Sequence, residues 1–260
     1  MSARPLSHYL TLPLAQPPAD LMEAIEQGPM RRMDALRLTD VERLLDPSPV
    51  RVESGWCRLA DGVGYVAVRT AMPAVSAEMV DWWFDWHPRE SLRYRVWHPR
   101  AHRENSLQAP LLPAEKAHWG AVHHPVEDVG MGVVHARIAF KRPSEMGFSD
   151  DALDRPDVAT IVCGYAGDDR LRLRHTPMYH VFLAEGDGVV LRSRFWLGAA
   201  IRPYGPLGGP GEALLNNRLV RRLALPAGLP RALALHCAEE YANLATLLPE
   251  LYERFGPQAP

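Results

Sequence analysis

The chain is poor in cysteine. Cys57, Cys163 and Cys237 are the three it has in 260 residues, and none stands in C-x-x-C spacing. That argues against a disulfide framework and a thiolate zinc site, and points to a reducing, cytoplasmic setting. Charge of neither sign is in excess: 29 Lys and Arg face 31 Asp and Glu, for a net charge of −2. Nothing in that balance suggests nucleic acid as a partner. No apolar run is long enough to span a bilayer, which excludes a helical membrane protein. The opening stretch, MSARPLSHYLTLPLAQPP, has no continuous apolar centre and reads as no secretory signal. G-x-G-x-x-G, G-x-x-x-x-G-K-[ST] and βαβ repeats are also missing, which argues against dinucleotide and P-loop chemistry.

What is present in quantity is histidine and tryptophan. There are eleven and seven of them, concentrated between Trp82 and His180. An aromatic-walled cavity with a few polar points inside uses such residues. Residues 1–60 differ from the rest. They carry Pro5, Pro13, Pro17, Pro18, Pro29, Pro47 and Pro49, with short helical pieces at Asp20–Gln27 and from Thr39-Asp-Val-Glu42, a capping-box start, to Leu45. They read as an N-terminal region packing on a main domain of residues 61–260 or on a partner subunit, which makes a homodimer one expectation.

In the main domain, Gly62–Thr70 alternates and is β-branched, as a strand does. Ser76–Trp86 spaces Met79, Trp82, Trp83 and Trp86 as a helix, ended by Pro88. Leu92–Trp97 reads as a strand or an extended approach to the polar loop His98–Asn105. Strands follow at Trp119–His124, Gly132–Phe140, Val158–Tyr165, Leu171–Arg174, Tyr179–Ala184 and Val189–Leu197, with Lys141–Pro156 as loop. The clearest hairpin turn is Glu185-Gly-Asp-Gly188. Pro203–Gly211 reads as a loop and Leu214–Leu223 as a helix.

The last segment, Arg231–Phe255, has apolar residues at Leu233, Cys237, Tyr241, Leu244, Leu248, Leu251 and Phe255, which is helical spacing. Pro230 suits its first turn and Gly256 its stop. At about 1.5 Å per residue it runs roughly 37 Å, enough to cross a domain. A run of antiparallel strands followed by one long amphipathic helix predicts an α+β fold. The helix covers one face of a curved sheet, with a cavity between them. This arrangement resembles the helix-grip fold of Bet v 1 and START-type proteins.

His236 and Glu240 are four apart on that helix, so they share a face and can supply two ligands to one divalent metal. For a bare H-x-x-x-E the commoner explanation is a solvated imidazole and a paired carboxylate. Two further ligands are needed to change that. His87, His98, His102, His123, His124, Glu127, His175 and His180 are the candidates, and spacing alone does not choose among them.

Five segments carry a more specific signal: W-W-x-x-W-H-P at 82–88, Y-x-x-W-H-P-x-x-H-x-x-N at 94–105, H-P-V-E-D-V-G-M-G at 124–132, R-S-R-F-W-L-G at 192–198 and H-C-A-E-E at 236–240. Together they resemble the 2,4-diacetylphloroglucinol hydrolase family, to which phloretin hydrolase belongs, over most of the chain after about residue 60. The resemblance implies a Bet v 1-like catalytic domain. It also implies a zinc-dependent hydrolase that cleaves the carbon–carbon bond between an aromatic ring and an acyl group. It implies zinc (Zn2+) ligands at His102, Glu127, His236 and Glu240, and substrate contacts at Tyr94, Asn105 and His180. Tyr94, His180 and Glu127 would carry the proton transfers. A fourth substrate contact, a tyrosine in the family, falls on Phe195, so the identity of the acylphenol stays open. The competing expectations are a non-catalytic carrier of hydrophobic ligands in the same fold, or a related zinc hydrolase for another aryl ketone.

Overall fold

The computed structural model describes residues 5–48, 50–110, 114–204 and 210–257. In chain order its strands are β1 (Gly55–Arg58), β2 (Gly64–Met72), β3 (His102–Glu104), β4 (Leu107–Gln108), β5 (Val122–His123), β6 (Val126–Asp128), β7 (Val133–Lys141), β8 (Val158–Asp168), β9 (Leu173–Glu185), β10 (Gly188–Leu197) and β11 (Arg202–Pro203). The α-helices are α1 (Ala19–Glu26), α2 (Ala77–Trp86), α3 (Ser91–Trp97), α4 (Pro210–Leu215), α5 (Arg218–Ala224) and α6 (Leu229–Phe255). The strands form one antiparallel sheet in the order β1-β2-β10-β9-β8-β7-β5-β4. β11 pairs with β9, and β6 bridges β7 and β3. Sheet and long terminal helix together make the expected α+β helix-grip architecture.

The sheet is buried on both sides. On one side Val66, Val68, Met178, Phe182, Leu191 and Phe195 join Cys237, Tyr241, Leu244 and Leu248 of α6 in the main core. Alternate residues of the same strands, Tyr65, Ala67, Tyr179, Val181 and Trp196, point the other way. They pack under Leu36, Val41, Leu44 and Leu45 of the N-terminal region. That second layer is pinned by charge. Glu53 bridges Arg192 at 2.8 Å and Arg194 at 3.1 Å, both guanidinium groups being buried. Tyr9 reaches the far end of α6, where its hydroxyl donates to Glu250 at 2.7 Å.

Several local expectations are corrected. Leu92–Trp97 is helical, not extended: α3 docks on α6, with Trp97 Nε1 donating to the Glu240 carbonyl at 3.0 Å and Asn243 Nδ2 donating to the Trp97 carbonyl at 2.8 Å. The Thr39 capping box does not form. Leu38–Leu45 is a 3-10 helix preceded by Arg37, and the Thr39 hydroxyl donates to Asp40 instead. The two short strands expected before the Glu185 turn are one strand, β9, running through Pro177. A proline is tolerated there because β10 pairs with β9 only from Met178 onward. The stretch 141–156, expected as loop, holds 3-10 turns at Pro143–Met146 and Ala152–Asp154. Leu214–Leu223 is two helices, the second capped by Asn217 accepting from the Leu219 N–H at 2.8 Å. Of the expected loop at 203–211, residues 205–209 lie outside the described residues.

Candidate metal centre and cavity

Three elements bring four side chains to one point. His236 and Glu240 come from successive turns of α6. His102 and Glu127 face each other directly across the β3–β6 pair. Cross-strand partners have adjacent side chains, so the short ladder alone places the second pair together. The docking of α3 then sets that ladder against α6.

The distances are short and even. His102 Nε2 lies 3.5 Å from Glu127 Oε2 and 3.5 Å from Glu240 Oε2. His236 Nε2 lies 3.7 Å and 3.8 Å from the same two oxygens. Donor atoms of His102, His236 and Glu240 all fall within 4.8 Å of one another. A tetrahedral ion held at about 2.0–2.2 Å needs donor separations of roughly 3.3–3.6 Å. The four imidazole–carboxylate separations meet or nearly meet that requirement, while Glu127 lies outside the group whose donors are all mutually close.

The side chains are prepared for a cation. The His102 Nδ1–H donates to the Tyr94 carbonyl at 3.1 Å, which leaves the Nε2 lone pair facing the carboxylates. That Nε2 is buried and has no hydrogen-bond partner. Burial, then the neighbouring His236, holds the His102 pKa well below its ordinary value. Burial, then His98, pushes His236 down to about 3. Both imidazoles are therefore neutral, as ligands must be. The carboxylates are driven the other way. Burial, then the charge of Glu127, raises Glu240 well above the carboxylate range, and burial raises Glu127. Two buried carboxylates among neutral imidazoles need a positive charge, so the donor set fits a divalent metal.

The centre opens on a cavity of about 250 Å³ between α6 and the sheet. Its wall is largely apolar, with Phe140, Ile138, Met178, Leu197 and Phe195 among the lining residues. Tyr94 lies at the cavity's edge, stacked on His102 with centroids 4.0 Å apart and its hydroxyl donating to Glu127. Burial, then Glu127, raises its pKa well above the ordinary phenol value, so the proton stays on oxygen. Asn105 lines the cavity with a buried Oδ1 that has no partner. His180 comes from β9, its Nδ1 2.9 Å from the Ser193 hydroxyl and its pKa pushed down to about 3 by burial. Phe195 stands edge-on to it, 5.5 Å between ring centres, and offers no polar atom.

The remaining candidates lie outside the cluster. His98 stacks on His236 at 5.4 Å and pairs with Glu239 at 3.1 Å. His124 pairs with Asp169 and His175 with the Thr176 hydroxyl. His87 and His123 are buried in the cavity wall, and neither makes an ion pair with Glu127 or Glu240 among the described residues. Tyr241, read from the sequence only as part of the apolar stripe, also lines the cavity, and its hydroxyl is buried without a partner. The one signal for it was its place next to Glu240.

Comparison with known proteins gives a consistent result. The family described as DAPG hydrolase PhiG domain matches residues 36–253. Phloretin hydrolase of Eubacterium ramulus is 30% identical over 252 residues, covering 94% of this chain and 88% of that protein. The 2,4-diacetylphloroglucinol hydrolase of Pseudomonas protegens is 32% identical over 253 residues, covering 93% and 82%. Among solved structures, Ara h 8.0201 matches 70% of this chain and 99% of its own at 10% identity, with a TM-score of 0.34.

Proposed function

The chain belongs to the family described as DAPG hydrolase PhiG domain, and from that premise we propose that it is a zinc-dependent hydrolase of acylated polyphenols. The bond cleaved joins the aromatic ring to the acyl carbon, and water enters to give a carboxylic acid and the deacylated ring. The observation that carries this reading is the set of two imidazole nitrogens and two carboxylate oxygens on the wall of an apolar, ring-sized cavity.

His102, Glu127, His236 and Glu240 would hold the ion. A bound zinc supplies Lewis acidity toward the acyl oxygen and toward water. The remaining chemistry falls to the protein. A polyphenol can move a hydroxyl proton to the ring carbon that bears the acyl group, giving a β-diketone. Attack of water on the acyl carbon then breaks the bond to the ring, and the electron pair leaves as an enolate. Tyr94, protonated and held by Glu127, is placed to deliver a proton, and Glu127 to take one up. Asn105 and His180 position the phenolic oxygens. Phe195 leaves that part of the wall without a hydroxyl, which favours a substrate less polar at that point.

The test has two measurements on purified protein: zinc per chain by elemental analysis, and release of carboxylic acid from a panel of acylphloroglucinols. About one zinc per chain with acid release supports the reading. A metal-free, fully stable protein that releases no acid would leave a ligand carrier in its place.

A further inference from the structure

Among the buried cavity residues that the roles above leave unused is a histidine of β5. His123 lines the cavity from β5 and is buried, and its Nε2 has no hydrogen-bond partner. It meets Phe140 edge-on at 4.6 Å between ring centres and His87 at 5.6 Å. An apolar side chain would fill such a place without stranding a polar atom, so a ring nitrogen there calls for a partner from outside the protein.

Asn105 Oδ1 is the second stranded atom on this side of the cavity. A short ladder relates the two. Leu107 pairs with His123, and the His124 N–H donates to the Ser106 carbonyl at 2.9 Å. Asn105 lies two residues before Leu107, at the approach to that ladder, and both it and His123 line the same cavity. Burial keeps the His123 imidazole neutral, with one N–H to give. His87, which His123 meets edge-on, stacks in turn on Tyr94 at 6.1 Å.

We propose that His123 and Asn105 together hold one ring hydroxyl of the substrate, at the end of the cavity walled by Phe140 and His87, and so select the hydroxyl pattern of the ring. A phenol hydroxyl donates one hydrogen bond and accepts another. It donates to Asn105 Oδ1 and accepts from His123 Nε2–H, satisfying both stranded atoms at once. The inference rests on the acylphenol reading of the cavity, and its test is chosen to fail separately from that reading.

Binding of 1,3,5-trihydroxybenzene and of 1,3-dihydroxybenzene is measured by calorimetry on the wild type, His123→Leu and His123→Gln. Binding needs no turnover. The wild type is expected to prefer the trihydroxy ring by about tenfold or more, the effect of one buried hydrogen bond left unmade. His123→Leu loses that preference. His123→Gln, whose amide nitrogen reaches close to the place of Nε2, keeps most of it. With acylated forms of the two rings the loss falls on KM more than on kcat. If His123→Leu does not fold, His123→Phe, which preserves the ring contacts, takes its place. An unchanged preference in the apolar variant overturns the proposal, as does a Gln variant no better than it, or a wild type indifferent to the third hydroxyl. Failure of the wild type to hydrolyse any acylphenol overturns the proposed function instead, and leaves the binding comparison to decide the role of His123.

Discussion

Tyr94 lies flat on His102, with ring planes 2° apart, while its hydroxyl donates to Glu127. One residue thus braces one member of the proposed metal-ligand set and hydrogen-bonds a second. Removing the hydroxyl should leave the stack intact. Tyr94→Phe is expected to fold and retain metal but to lose activity by an order of magnitude or more, the usual range for a proton-transfer group. Steady-state kinetics beside metal analysis checks this. A variant with wild-type kcat removes Tyr94 from the mechanism.

His236→Ala and Glu240→Gln each delete a donor from the four-residue cluster. Both are expected to lose most of any bound zinc and essentially all turnover, since a closed four-donor site is reduced to three. Metal content measured after dialysis is decisive. Retention of both zinc and rate in either variant would reject the ligand assignment.

Glu53 is the carboxylate between two buried guanidinium groups under the sheet. Glu53→Ala leaves both cations without it, a change that costs about 3–5 kcal/mol when a buried pair is broken from one side. For a chain of this size that corresponds to a fall in melting temperature on the order of 10 °C. Calorimetry reads it directly, and an unchanged Tm sinks the idea that this bridge pins the N-terminal layer.

His118 is buried beside Phe84 and Phe140, and burial pushes its pKa from 6.5 down to about 4. The unfolded chain therefore binds a proton that the folded chain refuses. Its contribution is constant above about pH 6.5 and becomes unfavourable as pH falls toward 4, by about 1.4 kcal/mol per pH unit. Urea unfolding at pH 7 and pH 5 should show a drop larger by about 2 kcal/mol in the wild type than in His118→Leu. Parallel pH dependence in the two proteins contradicts the assignment.

The sequence made some of this visible and hid the rest for physical reasons. The long helix α6 is legible because its stripe repeats over seven turns between Pro230 and Gly256, and the His236–Glu240 pair follows from it. The partners of that pair are not legible from spacing. His102 and Glu127 meet across strands of three residues each, too short to show any period. Family resemblance, and not periodicity, singled them out. Helix α3 is not legible because its seven residues owe their shape to docking on α6, a tertiary effect with no local signature. Pro177 made β9 look like two strands, since only the finished register reveals that no β10 partner is opposite it.

Helix α6 holds two donors in its first half and core leucines, Leu244, Leu248 and Leu251, in its second. Occupancy of the cluster and integrity of the interior are thus written into a single rod. An ion that binds only the native form must raise the unfolding temperature in step with its free concentration. Chelation should lower it, so a melting curve becomes a titration of the metal.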